Sequence, residues 1–257
     1  MKKVSFIGSG NVATHLAKGF MDKGIQIKQV FSLNLSKAEL LANAVSAEGI
    51  NDINLLDTED VDLIILSVKD DVIEEIAQSF DSNNVTIVHT SGTVPMKALA
   101  AHKNYGVLYP LQTFSKLKEM DLSNIPFCVE GNSKRVCIEL IDYSAVISND
   151  VRKVDSLARK SIHLSAVFAC NFTNHMLAVA DKILHESQQD ISILKPLIEE
   201  TIKKALSSSP AKVQTGPAIR KDYDVIEHHI GRLEGNPLLQ NIYKDITESI
   251  INWKENE

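Results

Sequence analysis

The segment Gly8-Ser9-Gly10-Asn11-Val12-Ala13 constrains this chain more than any other. It follows a short apolar run, Val4-Ser5-Phe6-Ile7, and opens a stretch with helical periodicity. A strand that turns through G-x-G-x-x-A into a helix is the fingerprint of a dinucleotide-binding turn. Gly8 permits the tight turn and Gly10 lets the backbone approach a pyrophosphate. Ala13 replaces a third glycine where the helix packs on the strand. The N–H groups and dipole at the helix start favour an anion, which makes Ser9, Asn11 and Val12 candidate cofactor residues. The alternative is a turn with a structural role only.

The pattern that follows agrees with a dinucleotide fold. Short β-branched runs at 3–7, 27–32, 63–68, 85–89 and 105–109 alternate with helical stretches at 11–23, 37–47, 71–79 and 95–101. Leu63-Ile64-Ile65-Leu66 is apolar at every position, as a strand covered on both faces should be. This alternation predicts an α/β domain with a doubly wound parallel sheet. A further strand, helix and strand are predicted at 126–130, 134–145 and 151–154. From about residue 155 the pattern is helical to the end. The reading is therefore two domains: residues 1–154, a Rossmann dinucleotide-binding domain, and residues 155–257, a helical substrate and dimerisation domain.

Composition narrows the class further. Hydrophobic residues are 44% and charged residues 23%, which excludes a disordered chain. No apolar run approaches about 18 residues, so no membrane span is expected. The formal charge of −6 argues against nucleic acid, whose phosphates need cations. The three cysteines form no C-x-x-C pair, which suits a reduced cytoplasmic setting. The histidines show no H-x-x-x-H spacing, and no metal site is expected.

Ligands of an open α/β sheet lie beyond the carboxyl ends of its strands. After the second strand stand Ser32, Leu33 and Asn34, with Lys37 just beyond. An NAD site ordinarily places an acid there for the ribose hydroxyl, and none occurs between Ile25 and Ala38. NADP is therefore favoured, with NAD possible. Ser32, Asn34 and Lys37 are the available partners for its phosphate, since the arginine common at NADP sites is absent. Ser67-Val68-Lys69 is placed to run beneath the cofactor, with Asp70 or Asp71 capping the next helix. Thr90-Ser91-Gly92, after His89, either reaches the nicotinamide end or forms an ordinary turn. Pro110, Gln112 and Thr113 are candidates for a substrate pocket.

In the helical half, 161–180 is apolar on almost every side and is predicted to be buried. At about 100° per residue, His163, Val167, Asn171 and Asn174 share one arc, with His175 beside it. Buried amides and imidazoles need partners, so this stripe serves either a ligand or neighbouring helices. Asp222 lies seven residues before His229 on the same side of a predicted helix, an arrangement that suits either a general acid or a cap.

Taken together, four segments resemble a known group. They are 4–13, Tyr109-Pro110-Leu111-Gln112-Thr113-Phe114, 163–172, and Thr215-Gly216-Pro217-Ala218-Ile219-Arg220-Lys221-Asp222. The chain resembles NADP oxidoreductases that join a Rossmann-like domain to a helical domain of unknown function. That family is similar to the 6-phosphogluconate dehydrogenase-like superfamily, which includes pyrroline-5-carboxylate reductase, β-hydroxyacid dehydrogenases and deazaflavin-dependent NADP reductases. The resemblance implies a 6-phosphogluconate dehydrogenase C-terminal-like helical domain, a cofactor between the domains, and a homodimer through the helical domain. It also marks a departure. The β-hydroxyacid dehydrogenases carry a lysine four residues before an asparagine on their first long interdomain helix. If Asn171 matches that asparagine, Val167 holds the lysine position. The proton donor is then His163, favoured for its place near the domain junction, or His229, or solvent.

The expected function is an NADP-dependent oxidoreductase passing hydride between nicotinamide and a small carbonyl or imine in an interdomain cleft. A dinucleotide-binding sensor or scaffold without turnover is the alternative.

Overall fold

The computed structural model describes residues 2–82, 84–115 and 120–253. Contacts divide the chain into two compact units, Met1–Thr173 and Asn174–Glu257.

The first unit begins β1 (Lys3–Ile7), α1 (Asn11–Asp22), β2 (Gln26–Phe31), α2 (Leu35–Ala44) and β3 (Glu48–Ile50). It continues β4 (Leu63–Leu66), α3 (Ile73–Gln78), β5 (Thr86–His89) and β6 (Asn104–Pro110). β7 (Phe127–Gly131), α4 (Lys134–Ile147), β8 (Val151–Lys153) and α5 (Ser156–Ala166) follow. The strands form one eight-stranded sheet in the order β3-β2-β1-β4-β5-β6-β7-β8. Its first six positions have the doubly wound order, which places a topological switch point between β1 and β4. Every pair is parallel except β6 with β7, which run antiparallel from Gly106↔Gly131 to Pro110↔Phe127. An antiparallel neighbour needs no crossover helix. β8 then pairs parallel to β7, after α4.

The continuous apolar strands have the cause the sequence suggests. Leu63 and Ile65 enter one core, with Phe6, Leu16, Phe20 and Leu140. Ile64 and Leu66 enter a second core on the opposite face, with Ile7, Ile73 and Leu99. Successive side chains of a strand point to opposite faces, so a strand between two cores must be apolar throughout. β3 was not anticipated: it is three residues long, at the sheet edge, and contains Gly49.

α5 runs directly into a π-helical stretch, Val167–Phe172, that closes the first unit. The expectation that 161–180 is buried fails in the single chain. Leu164 is 59% exposed and Phe168 63%.

The second unit contains α6 (Thr173–Glu186), α7 (Lys195–Ser207), α8 (Pro217–Arg220), α9 (Tyr223–Arg232) and α10 (Pro237–Asn252). Proline stands in the first turn of α7, α8 and α10, where its missing N–H costs nothing. Gly216, at φ +106°, makes the turn into α8. Among the described residues of this unit, only Ala218 and Ile226 are fully buried hydrophobics. No helix among the described residues is long and apolar enough to cross a membrane.

Candidate functional site

The carboxyl ends of β1, β2, β4 and β5 are joined by backbone bonds. Gly8 N–H donates to the Phe31 carbonyl at 2.8 Å, and Ser67 N–H to the Ile7 carbonyl at 2.8 Å. Thr90 N–H donates to the Leu66 carbonyl at 3.1 Å. The Thr90 hydroxyl also reaches the Ser67 hydroxyl at 3.3 Å. The two glycines of the first turn have different tasks. Gly8 sits at φ +112°, and a methyl group there would lie 2.3 Å from the Ser67 carbonyl oxygen. Backbone conformation and close approach both demand glycine. Gly10, at φ −76° and ψ −170°, has a backbone any residue adopts. Among the described residues, a methyl group there would meet no atom within 4 Å. Gly10 is the N-cap of α1, whose first turn has no side-chain cap and no acidic residue. The helix start therefore leaves N–H groups and a positive dipole end beside an open cradle. These residues fit the pyrophosphate of a dinucleotide.

The remaining expected cofactor residues divide by what their side chains do. Val12 packs against the first core. The Asn11 amide donates to the Phe114 carbonyl at 2.9 Å, and His15 Nε2 lies 2.9 Å from the Ser115 carbonyl. α1 thereby holds the segment that follows β6. Beyond β2, Asn34 Oδ1 accepts from Lys37 N–H at 3.1 Å and caps α2, leaving Nδ2 to donate. Ser32 Oγ lies 3.4 Å from Asn34 N, and Leu33, at the tip, is 88% exposed. Lys37 is exposed on the first turn of α2. Ser67 and Val68 are half-buried and Lys69 is exposed. Lys69 precedes a 3₁₀ turn over Asp70–Val72, and Asp70 accepts from the Thr93 hydroxyl. Ser91 Oγ accepts from Thr93 N–H and Val94 N–H, both at 3.0 Å, so its hydroxyl shapes the turn.

At the ends of β5 and β6 a second cluster forms. His163, on α5, places Nδ1 3.2 Å from the Tyr109 hydroxyl, with ring centroids 6.2 Å apart. Its ring lies on Gly92, where a methyl group would approach Nδ1 to 2.5 Å. One turn earlier stands Arg159, which belongs to no sequence motif, and it is wholly buried. Its guanidinium bonds Glu130 and the Val94 carbonyl, each at 2.6 Å, and Glu130 also accepts from Ser156 Oγ at 2.7 Å. A buried guanidinium persists only when paired and hydrogen-bonded; Nη1 and Nη2 are so held, while Nε is buried without a hydrogen-bond partner among the described residues. Nearby His89 is buried, with Nδ1 accepting from Ser91 N–H at 3.2 Å. Burial first, and the charge of Arg159 second, hold its pKa down at about 4. Burial also raises the pKa of Tyr109, so its phenol keeps its proton. The only sequence signal for Arg159 was its place four residues before His163 in a weakly polar helix.

Several expected site features take another form. Pro110 is buried at the end of β6, but Gln112 and Thr113 are exposed and bond each other, at 2.8 Å from Thr113 N–H to Gln112 Oε1. Asn171 and Asn174 are exposed, not buried. The arc they were to share with His163 and Val167 assumed a regular α-helix, and the π-helical stretch changes that turn angle. His229 is not oriented by Asp222. Its Nδ1 meets the Tyr243 hydroxyl at 2.8 Å, because α10 packs beside α9. Asp222 is instead the N-cap residue of α9.

Comparison with known proteins accords with this geometry. Residues 3–92 match the family described as NADP oxidoreductase, coenzyme F420-dependent. Residues 125–250 match a domain of unknown function, DUF2520. None of the curated proteins compared matches the chain. The crystal structure of a "putative NADP oxidoreductase" from Bacteroides fragilis shares 38% identity over 98% of both chains, with a TM-score of 0.90. Two more distant structures share the fold. A 1-pyrroline-5-carboxylate reductase from Streptococcus pyogenes has 13% identity over 98% of both chains, with a TM-score of 0.61. A reductive aminase from Aspergillus terreus, solved with NADPH and ethyl levulinate, has 12% identity over 97% of this chain and 94% of that one, with a TM-score of 0.72. The chain thus belongs to the family of oxidoreductases in which an NADP oxidoreductase domain is joined to a DUF2520 domain.

Proposed function

We propose that this protein reduces a small carbonyl or imine with NADPH, and that His163 supplies the proton. The observation that carries the reading is the cradle at Gly10, a glycine that neither its backbone angles nor any neighbour among the described residues requires. Its value lies in keeping the start of α1 open to a phosphate group. NADPH, when bound, supplies the hydride. The chain's own residues bind, orient and protonate. N–H groups of the first turn of α1 hold the pyrophosphate, and Ser32, Asn34 Nδ2 and Lys37 hold the ribose phosphate. The ends of β4 and β5 carry Ser67, Val68, Thr90 and Gly92 under the rest of the dinucleotide. His163 gives a proton from Nε2 to the oxygen or nitrogen of the substrate.

The reductase reactions of the two distant relatives support the substrate class: one acts on 1-pyrroline-5-carboxylate, and the other is a reductive aminase. The test is a fluorescence titration with NADPH and NADH, followed by turnover with a panel of imines, keto acids and aldehydes. NADPH should bind more tightly by a modest factor, since no arginine fork stands at Leu33. Lys37→Ala should narrow that gap. A clear preference for NADH overturns the cofactor assignment, and binding without any turnover favours a sensor.

The exposed apolar faces also support a homodimer. The first unit leaves Leu164, Phe168 and Phe172 exposed, and the second leaves Leu197, Leu206 and Trp253 exposed. Surfaces of this kind mark interfaces, and a two-fold dimer is the commonest closed form. Light scattering that shows a monomer at high concentration excludes it.

A further inference from the structure

We propose that Tyr109 is the positioning residue of the proton-transfer site: its hydroxyl occupies Nδ1 of His163 and leaves Nε2 as the nitrogen that exchanges a proton with substrate. The inference rests on the oxidoreductase reading and deepens it.

Three separate segments meet at the imidazole. β6 delivers Tyr109 near its carboxyl end, α5 delivers His163, and the turn after β5 delivers Gly92. Tyr109 Oη stands 3.2 Å from Nδ1, and the two rings meet edge to face. On Gly92, an added methyl group would lie 2.5 Å from Nδ1 and 2.8 Å from Cγ, so the ring rests against bare backbone. The helix beneath the ring is pinned as well. Arg159 is buried four residues earlier and ties α5 to Glu130 of β7 and to the Val94 carbonyl, two residues after Gly92. A ring held by one hydroxyl, one glycine and an anchored helix has little freedom to swing. Nδ1 is engaged, and Nε2 remains for a ligand.

A hydroxyl both donates and accepts, so the contact survives a change of charge on the ring. In the imidazolium, Nδ1–H donates to Tyr109 Oη, and Nε2–H is the transferable proton. During reduction, the substrate heteroatom gains an electron pair as hydride adds to the adjacent carbon. The Nε2–H bond breaks and an O–H or N–H bond forms on that heteroatom. The imidazole is left neutral, with its remaining proton on Nδ1, still held by Tyr109. The phenol keeps its own proton throughout. Fixing which nitrogen of a histidine reacts, through a bond to the other, is a general device.

The test begins without substrate or cofactor. Tyr109→Phe removes one hydroxyl and leaves the ring in place. In protein carrying ¹⁵N-labelled histidine, the Nδ1 resonance of His163 should move towards the position of an unbonded ring nitrogen. With substrate, kcat should fall by roughly 10²-fold, the effect of a misplaced reacting group, while KM for NADPH stays unchanged. In a His163→Gln background, Tyr109→Phe should have no further effect, because residues that act as one unit are not additive. An unmoved Nδ1 resonance overturns the proposal, and so does an equal loss in both backgrounds. Failure of the oxidoreductase reading looks different: no carbonyl or imine is turned over, although the Nδ1 resonance still responds.

Discussion

Replacing Gly10 by alanine separates a binding turn from a structural one. At Gly10, φ is −76° and an added methyl group has no atom of the described residues within 4 Å. Neither strain nor a clash opposes the change in the free protein. Alanine is a poorer N-cap than glycine by a few tenths of a kcal/mol to about 1 kcal/mol. The reduced freedom of the unfolded chain returns about 0.4–1 kcal/mol. Stability should therefore stay within about 1 kcal/mol of the parent, read by urea unfolding. The nucleotide meets the methyl group where its pyrophosphate approaches, so NADPH affinity should fall at least about tenfold, roughly 1.4 kcal/mol. Gly8→Ala is the control. Its φ of +112° costs an alanine about 1–3 kcal/mol. The methyl group at 2.3 Å from the Ser67 carbonyl forces β1 and β4 apart, at a further cost of about 1–3 kcal/mol. Together these reach a large part of a typical stability of about 5–15 kcal/mol. A folded Gly10→Ala protein that binds NADPH within about twofold of the parent refutes the reasoning, because the cradle would then hold no phosphate.

Three further outcomes are expected. Arg159→Met should lower stability by about 3–5 kcal/mol in urea unfolding, since it leaves the Glu130 carboxylate and the Val94 carbonyl without their shared partner; Glu130→Gln in the same protein should restore part of the loss. His89, with a folded pKa of about 4 against an ordinary value near 6.5, stays neutral while the unfolded chain takes up a proton, so its contribution of roughly 3 kcal/mol is complete above pH 6.5 and is lost as pH falls towards 4. His89→Gln should flatten the fall in unfolding free energy across that window, and an unchanged slope would exclude His89 as its source. His163→Gln should reduce turnover by about 10²–10⁴-fold with NADPH affinity nearly intact, whereas a loss under about threefold in a folded protein would leave the ring a packing role.

The parts of the site that were legible are those built from neighbours in the chain. Gly8, Gly10 and Ala13 lie within six positions of one another, and their spacing alone implies strand, turn and helix. The buried strands were legible because a strand between two cores must be apolar on both faces, as Leu63–Leu66 is. Helices that start at Pro217 and Pro237 obey a rule of the same local kind, set by proline's fixed φ and missing N–H. Each of these is a local rule, satisfied before any tertiary contact forms.

Contacts between distant segments followed no such rule. The apolar pattern of β7 is the same in either direction, and only pairing with β6 makes it antiparallel. Arg159 reads as a surface charge until Glu130 and Val94, 29 and 65 positions away, close around it. Asp222 was the plausible partner of His229 by helical spacing, but Tyr243, 14 positions on, holds the imidazole across two packed helices. Tyr109 and His163 are 54 residues apart, and nothing in either segment pairs it with the other. Sequence determined the elements and the phosphate turn, because backbone sterics and burial act on neighbouring residues. Tertiary structure decided which side chains became a site, because hydrogen bonds and ion pairs depend on distances that only packing sets.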